Sequence, residues 1–85
     1  MKHLIATPDQ LAHVLRSVRK ARGLSQLEVG KPVGLLQKSV SVLENHPETV
    51  TIESLFKLLS ALGLELIVSS KESGDGMVPN GSGEW

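Results

Sequence analysis

The residues best suited to chemistry lie together near the middle of the sequence. Gln37 and Lys38 are adjacent, and Ser41 follows one helical turn later. A glutamine amide can bond the edge of adenine in bidentate fashion, and a lysine ammonium can donate to guanine. We predict that all three side chains contact DNA bases, with a phosphate as the alternative for Ser41. Leu36 and Val42 flank them and suit either thymine methyl groups or peripheral packing.

Four further polar residues suit contacts to phosphate. Ser25 and Gln26 stand at the predicted start of a helix, where free backbone N–H groups favour a phosphate oxygen. Arg22 and Lys31 lie nearby in the sequence and carry positive charge. We predict phosphate contacts for all four, while Ser25 also fits a helix cap and the two cations also fit an ordinary surface.

The charge distribution favours a polyanionic partner. The net charge is zero, but seven of the nine Lys and Arg residues lie in residues 1–45 and six of the nine Asp and Glu residues lie in residues 46–85. Such asymmetry makes the N-terminal half positive and would attract nucleic acid, although an ordinary solvated surface explains it equally well.

Other function classes receive no support from the sequence. Cysteine is absent, so neither a disulfide nor a thiolate metal site is expected. His3, His13 and His46 lack metal-ligand spacing, and no nucleophile–base pair or cofactor loop is visible. No apolar run approaches the roughly 20 residues of a membrane helix, and no signal sequence is recognisable. We expect a cytoplasmic protein without catalysis, cofactor or metal.

Short helices must position these side chains. Thr7 followed by Pro8 predicts a helix over Pro8–Arg22. A capping box over Ser25–Glu28 opens a second helix, which Pro32 disturbs and Gly34 ends. A third helix is predicted over Gln37–Asn45, without a capping hydroxyl.

The remaining residues predict one more helix, one strand and a tail. Thr51 caps the fourth helix, whose apolar set is Leu55, Phe56, Leu58, Leu59 and Leu62. The next segment, 64–69, alternates in the manner of a strand, with Leu64, Leu66 and Val68 on one face. Because no second strand is predicted, we expect this segment to pair across a homodimer. Residues 1–69 are thus predicted to form one all-α domain of four or five helices plus this strand. Residues 70–85 form a predicted flexible tail whose Trp85 binds a partner.

The spacing of small and apolar residues predicts a helix-turn-helix motif. Gly30 lies four residues after Gln26, Gly34 four residues later, and Val40 six residues after that. This spacing suits two short helices that pack closely across a sharp turn, with the second fitting the major groove of DNA. A small helical bundle with coincidental glycines is the alternative.

The same residues carry a resemblance to the Xre-type, lambda-repressor/Cro-like family over about residues 10–63. Within that family the chain is most similar to the HipB-like antitoxins. The shared features are Ser25-Gln26, Gly34, Gln37, Ser41, Glu44-Asn45, the stretch from Thr51 to Leu62, the following strand and the ending Glu84-Trp85. The sequence departs from the family pattern at Gly30, where alanine is usual, and at Leu36, where a polar residue is usual.

The resemblance implies a homodimeric antitoxin that represses its own operon and binds a HipA-like serine/threonine kinase toxin. It also implies a phosphate contact for Asn45, and a partly buried structural ion pair between Arg19 and Glu44. A general Xre-type or phage-like repressor without a toxin partner is the first alternative. The second is a protein-interaction module that only resembles a repressor.

Overall fold

The computed structural model describes residues 2–71 of the chain. Four α-helices follow one another, α1 (Pro8–Ala21), α2 (Gln26–Gly30), α3 (Gln37–Asn45) and α4 (Ile52–Ala61). Two short 3₁₀ turns separate them, Lys31–Val33 before α3 and Pro47–Thr49 before α4. The predicted all-α class, with four helices, is therefore confirmed.

Local capping explains where three of the helices begin. The Thr7 hydroxyl accepts from the backbone N–H of Gln10 at 3.2 Å, and the Thr51 hydroxyl accepts from Ser54 at 3.1 Å. Ser25 forms the full predicted capping box with Glu28. Each such cap stabilises its helix by about 1 kcal/mol. The Gln10 side chain accepts from Ala6, one residue before the position that a capping box would use.

The connection between α2 and α3 is tight because of three residues. Pro32 lacks an N–H and leaves a 3₁₀ turn in place of the last α-helical turn. Gly34 adopts a left-handed conformation with φ of 74°. At Gly30, a Cβ atom would lie 2.5 Å from the Leu35 carbonyl oxygen and 3.0 Å from a Val40 methyl group. The absence of a side chain at Gly30 thus permits the two helices to approach this closely.

One apolar core joins the four helices. Leu15 of α1, Val29 of α2 and Leu43 of α3 are buried together with Leu58 of α4 and Leu62 at its end. Burial of a leucine or valine of this size contributes about 1.5–3 kcal/mol. The core therefore fixes α2 and α3 against the scaffold formed by α1 and α4.

One sequence-based expectation needs correction in this chain. Phe56 was predicted to belong to the apolar set of α4, but 49% of its surface is exposed, as is 64% of Ile52 one turn earlier. Residues 64–71 form no strand within the chain, because a ladder requires a second strand and the other described residues are helices and their connections. Cross-dimer pairing of this segment stays a prediction. Trp85 and the rest of the predicted tail from residue 72 lie outside the described residues.

Candidate nucleic-acid interface

Helix α3 has a buried side and a side that faces away from the core. Val40, Leu43 and Glu44 are buried against the other helices. Gln37 and Lys38 are exposed at the beginning of the helix, as is Asn45 at its end, whereas Ser41 and Val42 are half-buried. The three side chains predicted to contact bases therefore lie on the outer part of α3, which we call the α3 outer face: Gln37, Lys38, Ser41, Val42 and Asn45.

The carboxylate of Glu44 holds α1, α2 and α3 together from the inner side of α3. The Glu44 side chain is completely buried, and its Oε2 lies 2.6 Å from Nε of Arg19. Nη2 of Arg19 donates to Oε1 of the same carboxylate at 3.1 Å, so the pair is bidentate. Nε2 of Gln26, the first residue of α2, also donates to Oε1 at 3.1 Å. The expected contact between Arg19 and Glu44 is thus present, with Gln26 as an additional member.

Arg16 belongs to the same junction and was missed by the sequence analysis. Its guanidinium donates to the backbone carbonyl oxygen of Glu44. Arg19 similarly donates to the backbone carbonyl oxygen of Leu24 at 2.7 Å. Arg16 and Arg19 are three residues apart and so lie on the same side of α1. This spacing could have indicated from the sequence that Arg16 contacts the same region as Arg19. Together they tie α1 to the loop before α2 and to α3.

The residues predicted to contact phosphate differ in the hydrogen bonds that they already make within the chain. Ser25 is exposed, and its hydroxyl caps α2 while keeping its own hydrogen free to donate. Gln26 uses one amide hydrogen on Glu44 and retains a second. Asn45 uses one amide hydrogen on the Ser41 carbonyl oxygen at 2.7 Å. Lys31 is exposed just after α2.

Arg22 has a structural contact that the sequence did not indicate. A Cβ atom on Gly63 would lie 3.0 Å from Nη2 of Arg22, so the guanidinium packs directly against this glycine. Gly63 follows α4, and Leu64 N donates back to the Leu59 carbonyl oxygen at 2.8 Å. Arg22 therefore connects the end of α1 with the end of α4. Its phosphate contact stays a prediction.

The capping box also perturbs one titratable group. The backbone N–H of Ser25 donates to Oε1 of Glu28 at 2.8 Å. This hydrogen bond, with a smaller contribution from the Ser25 side chain, holds the pKa of the Glu28 carboxyl below its ordinary value of 4.5. The carboxylate form thereby supports the start of α2, where Ser25 and Gln26 lie.

Two kinds of site are absent from residues 2–71. No helix in that range is long and apolar enough to cross a membrane. The same residues contain no group of three or more His, Cys, Asp or Glu side chains placed to hold a metal ion.

Comparison with known proteins agrees with this geometry. The family model for helix-turn-helix domains matches residues 15–68. Antitoxin HipB of Escherichia coli strain K12 is 37% identical over 62 residues, which cover 73% of this chain and 70% of that protein. Among solved structures, a HipB–O4 20mer complex superimposes with a TM-score of 0.79 at 32% identity, covering 84% of this chain and 100% of that one. A HipA–HipB–O2–O3 complex gives the same values.

The matched segment contains α2, the turn at Gly34 and α3, together with most of the scaffold that positions them. Sequence identity and fold therefore point to the same relatives. The chain belongs to the helix-turn-helix family and, within it, to the HipB-like antitoxins.

Proposed function

We propose that this protein is the antitoxin and transcriptional autorepressor of a HipBA-like toxin–antitoxin operon. In this proposal a homodimer binds palindromic operator DNA through the major groove and also binds a HipA-like serine/threonine kinase toxin. The protein acts in the cytoplasm as a binding protein without catalysis. The observation that carries the proposal is the exposed polar side of a helix, α3, in a fold that matches HipB in its complexes with DNA at a TM-score of 0.79.

The α3 outer face supplies the base contacts in this account. The side chains of Gln37 and Lys38 are exposed and make no hydrogen bond to another described residue, so their amide and ammonium groups can bond base edges. Ser41 lies one turn later on the same side. Ser25, Gln26 and Asn45 flank these residues and supply phosphate contacts, which fix the register of the protein on the duplex.

Palindromic recognition requires a second copy of the chain. The apolar residues left uncovered after α4 supply a surface for it, since Leu66, Ile67 and Val68 are 58–91% exposed. Pairing of residues 64–69 with the twofold mate would satisfy the backbone groups of this segment and place Leu66 and Val68 of both copies on one shared apolar face, with Ile67 on the other face. The half-sites read by two such copies would be about one turn of DNA, roughly 34 Å, apart.

The toxin contact is proposed for the C-terminal tail. Trp85 is the only tryptophan of the chain and stands in a segment rich in glycine and serine. Tryptophan is enriched at binding hot spots because its ring buries a large apolar area while its N–H finds a partner. We assign residues 1–69 to DNA binding and dimerisation, and residues 70–85 to toxin binding.

Selection of duplexes from a randomised DNA library tests the DNA-binding part of this proposal. The full-length protein should enrich inverted repeats, and one of them should match the DNA upstream of its own gene. Titration calorimetry with the kinase encoded beside that gene tests the second part, with removal of Glu84 and Trp85 as the matched variant. Enrichment of no sequence would contradict the repressor assignment. Equal toxin affinity with and without the two residues would contradict the tail assignment.

A further inference from the structure

Leu36 is a residue that neither the core nor helix capping explains. It occupies the N-cap position of α3 in an extended conformation, and its side chain makes no capping hydrogen bond. Leucine is among the least favourable residues at this position, where serine, asparagine or aspartate would satisfy a free backbone N–H. The residue is also 74% exposed. Leu36 thus weakens the start of α3 and gains little burial within the described residues.

The surroundings of Leu36 indicate what covers it. It directly precedes Gln37 and Lys38, which are exposed on the α3 outer face. A protein surface that buried Leu36 would also strip water from these two polar side chains, and it would need matched acceptors to offset that cost. The major groove offers both acceptors for Gln37 and Lys38 and an apolar surface for Leu36. Base edges carry the hydrogen-bond acceptors, and thymine carries a C5-methyl group.

We propose that Leu36 reads thymine, with its side chain packing against the C5-methyl group of one thymine in each half-site of the operator. Leu36 is then a specificity-determining residue beside the hydrogen-bonding residues Gln37 and Lys38. This inference rests on the proposed operator binding and names a base that the hydrogen-bonding residues alone do not specify.

Replacement of thymine by deoxyuridine isolates the proposed contact, since it removes one methyl group and leaves every hydrogen-bonding atom in place. The probe is the inverted-repeat duplex enriched by the selection described above, with symmetry-related thymines replaced pair by pair. For one pair the wild-type protein should bind about fourfold more weakly per half-site, or about fifteenfold over both, as expected for loss of one buried methyl-sized group. Leu36→Ala should bind the thymine and deoxyuridine duplexes equally.

Three variants make the result specific. Leu36→Ser supplies a capping hydroxyl, so it keeps α3 stable and should also lose the preference for thymine. Lys38→Ala should weaken binding to both duplexes and retain their ratio. Val42→Ala tests the apolar residue of the α3 outer face and should likewise retain the ratio.

Several outcomes would overturn the inference. One is equal wild-type affinity for the thymine and deoxyuridine duplexes at every position. In that case Leu36 does not read thymine, but specific binding and the proposed function still stand. A preference that persists in Leu36→Ala, or that disappears in Val42→Ala, would assign the methyl contact elsewhere. Failure to enrich any duplex would remove the proposed function itself and this inference with it.

Discussion

Arg19 and Glu44 form a bidentate ion pair across 25 residues of sequence, with Nε of Arg19 2.6 Å from Oε2 of Glu44. The Glu44 side chain is fully buried, and that of Arg19 is 11% exposed. Since Gln26 donates to the same carboxylate, one buried charge joins α1 to both helices of the helix-turn-helix motif. The orientation of the α3 outer face therefore depends on this junction.

Loss of the Glu44 carboxylate should be strongly destabilising. In Glu44→Ala the Arg19 guanidinium stays buried without its counter-charge, so the free energy of unfolding should fall by about 3–5 kcal/mol. Glu44→Gln should be milder, because its amide oxygen still accepts a hydrogen bond. Urea denaturation followed by circular dichroism measures both, with Glu53→Ala as the acidic control, since its exposed ion pair with Lys57 should contribute less than about 1 kcal/mol. A loss for Glu44→Ala no larger than that of the control would show that the junction does not stabilise the fold.

A methyl group at Gly30 should also destabilise the protein. Gly30→Ala places a Cβ atom 2.5 Å from the Leu35 carbonyl oxygen, which is backbone and can move only if the turn shifts. The expected cost is about 1–3 kcal/mol, despite the better helix propensity of alanine. Thermal unfolding compares this variant with Ser60→Ala on the exposed side of α4. A raised melting temperature for Gly30→Ala would show that α2 and α3 have room to separate.

The capping box should make the start of α2 sensitive to acid. Since the folded pKa of Glu28 lies below 4.5, its stabilising contribution is complete above pH 4.5 and is lost as the pH falls through the folded value. Proton NMR of the Ser25 amide, which donates to this carboxylate, should show a transition below pH 4.5. Glu28→Gln should abolish that transition. A midpoint above 4.5 would contradict the direction of the shift.

Dimerisation should depend on residues 64–69. Proline at position 66 removes a backbone donor from the predicted ladder, and the exposed Leu66 side chain is lost as well. We expect Leu66→Pro to sediment as a monomer at concentrations where the wild-type protein is a dimer. Glu65→Ala, on the opposite face of the predicted strand, is the matched control. An unchanged dimer in Leu66→Pro would place the interface elsewhere.

The sequence predicted the helices well because their ends depend on local chemistry. Thr7, Ser25 and Thr51 cap their helices through hydroxyl oxygens only three residues from the N–H groups they accept from. The contacts of Arg16 and Arg22 could not be predicted in this way. Their partners, at Glu44 and Gly63, are distant in sequence and are reached only after the helices have packed.

The apolar pattern was informative about helix position and less so about burial. Phe56 fits the periodicity of α4 but lies at the margin of its apolar stripe, where no other described element covers it. The segment 64–69 has the alternation of a strand, yet a strand is defined by its pairing. The described residues contain no second strand for this segment to pair with, so its pairing across a homodimer stays a prediction.

Binding of DNA through the α3 outer face is the central claim, and fluorescence anisotropy on the enriched inverted repeat tests it most directly. Gln37→Ala and Lys38→Ala should each weaken specific binding by about five- to 150-fold, as loss of a base contact worth about 1–3 kcal/mol requires. Lys57→Ala removes the same charge from α4, outside the helix-turn-helix motif, and should leave affinity for the repeat unchanged. Unaltered affinity in both α3 variants, or equal wild-type affinity for the repeat and a scrambled duplex, would contradict this account.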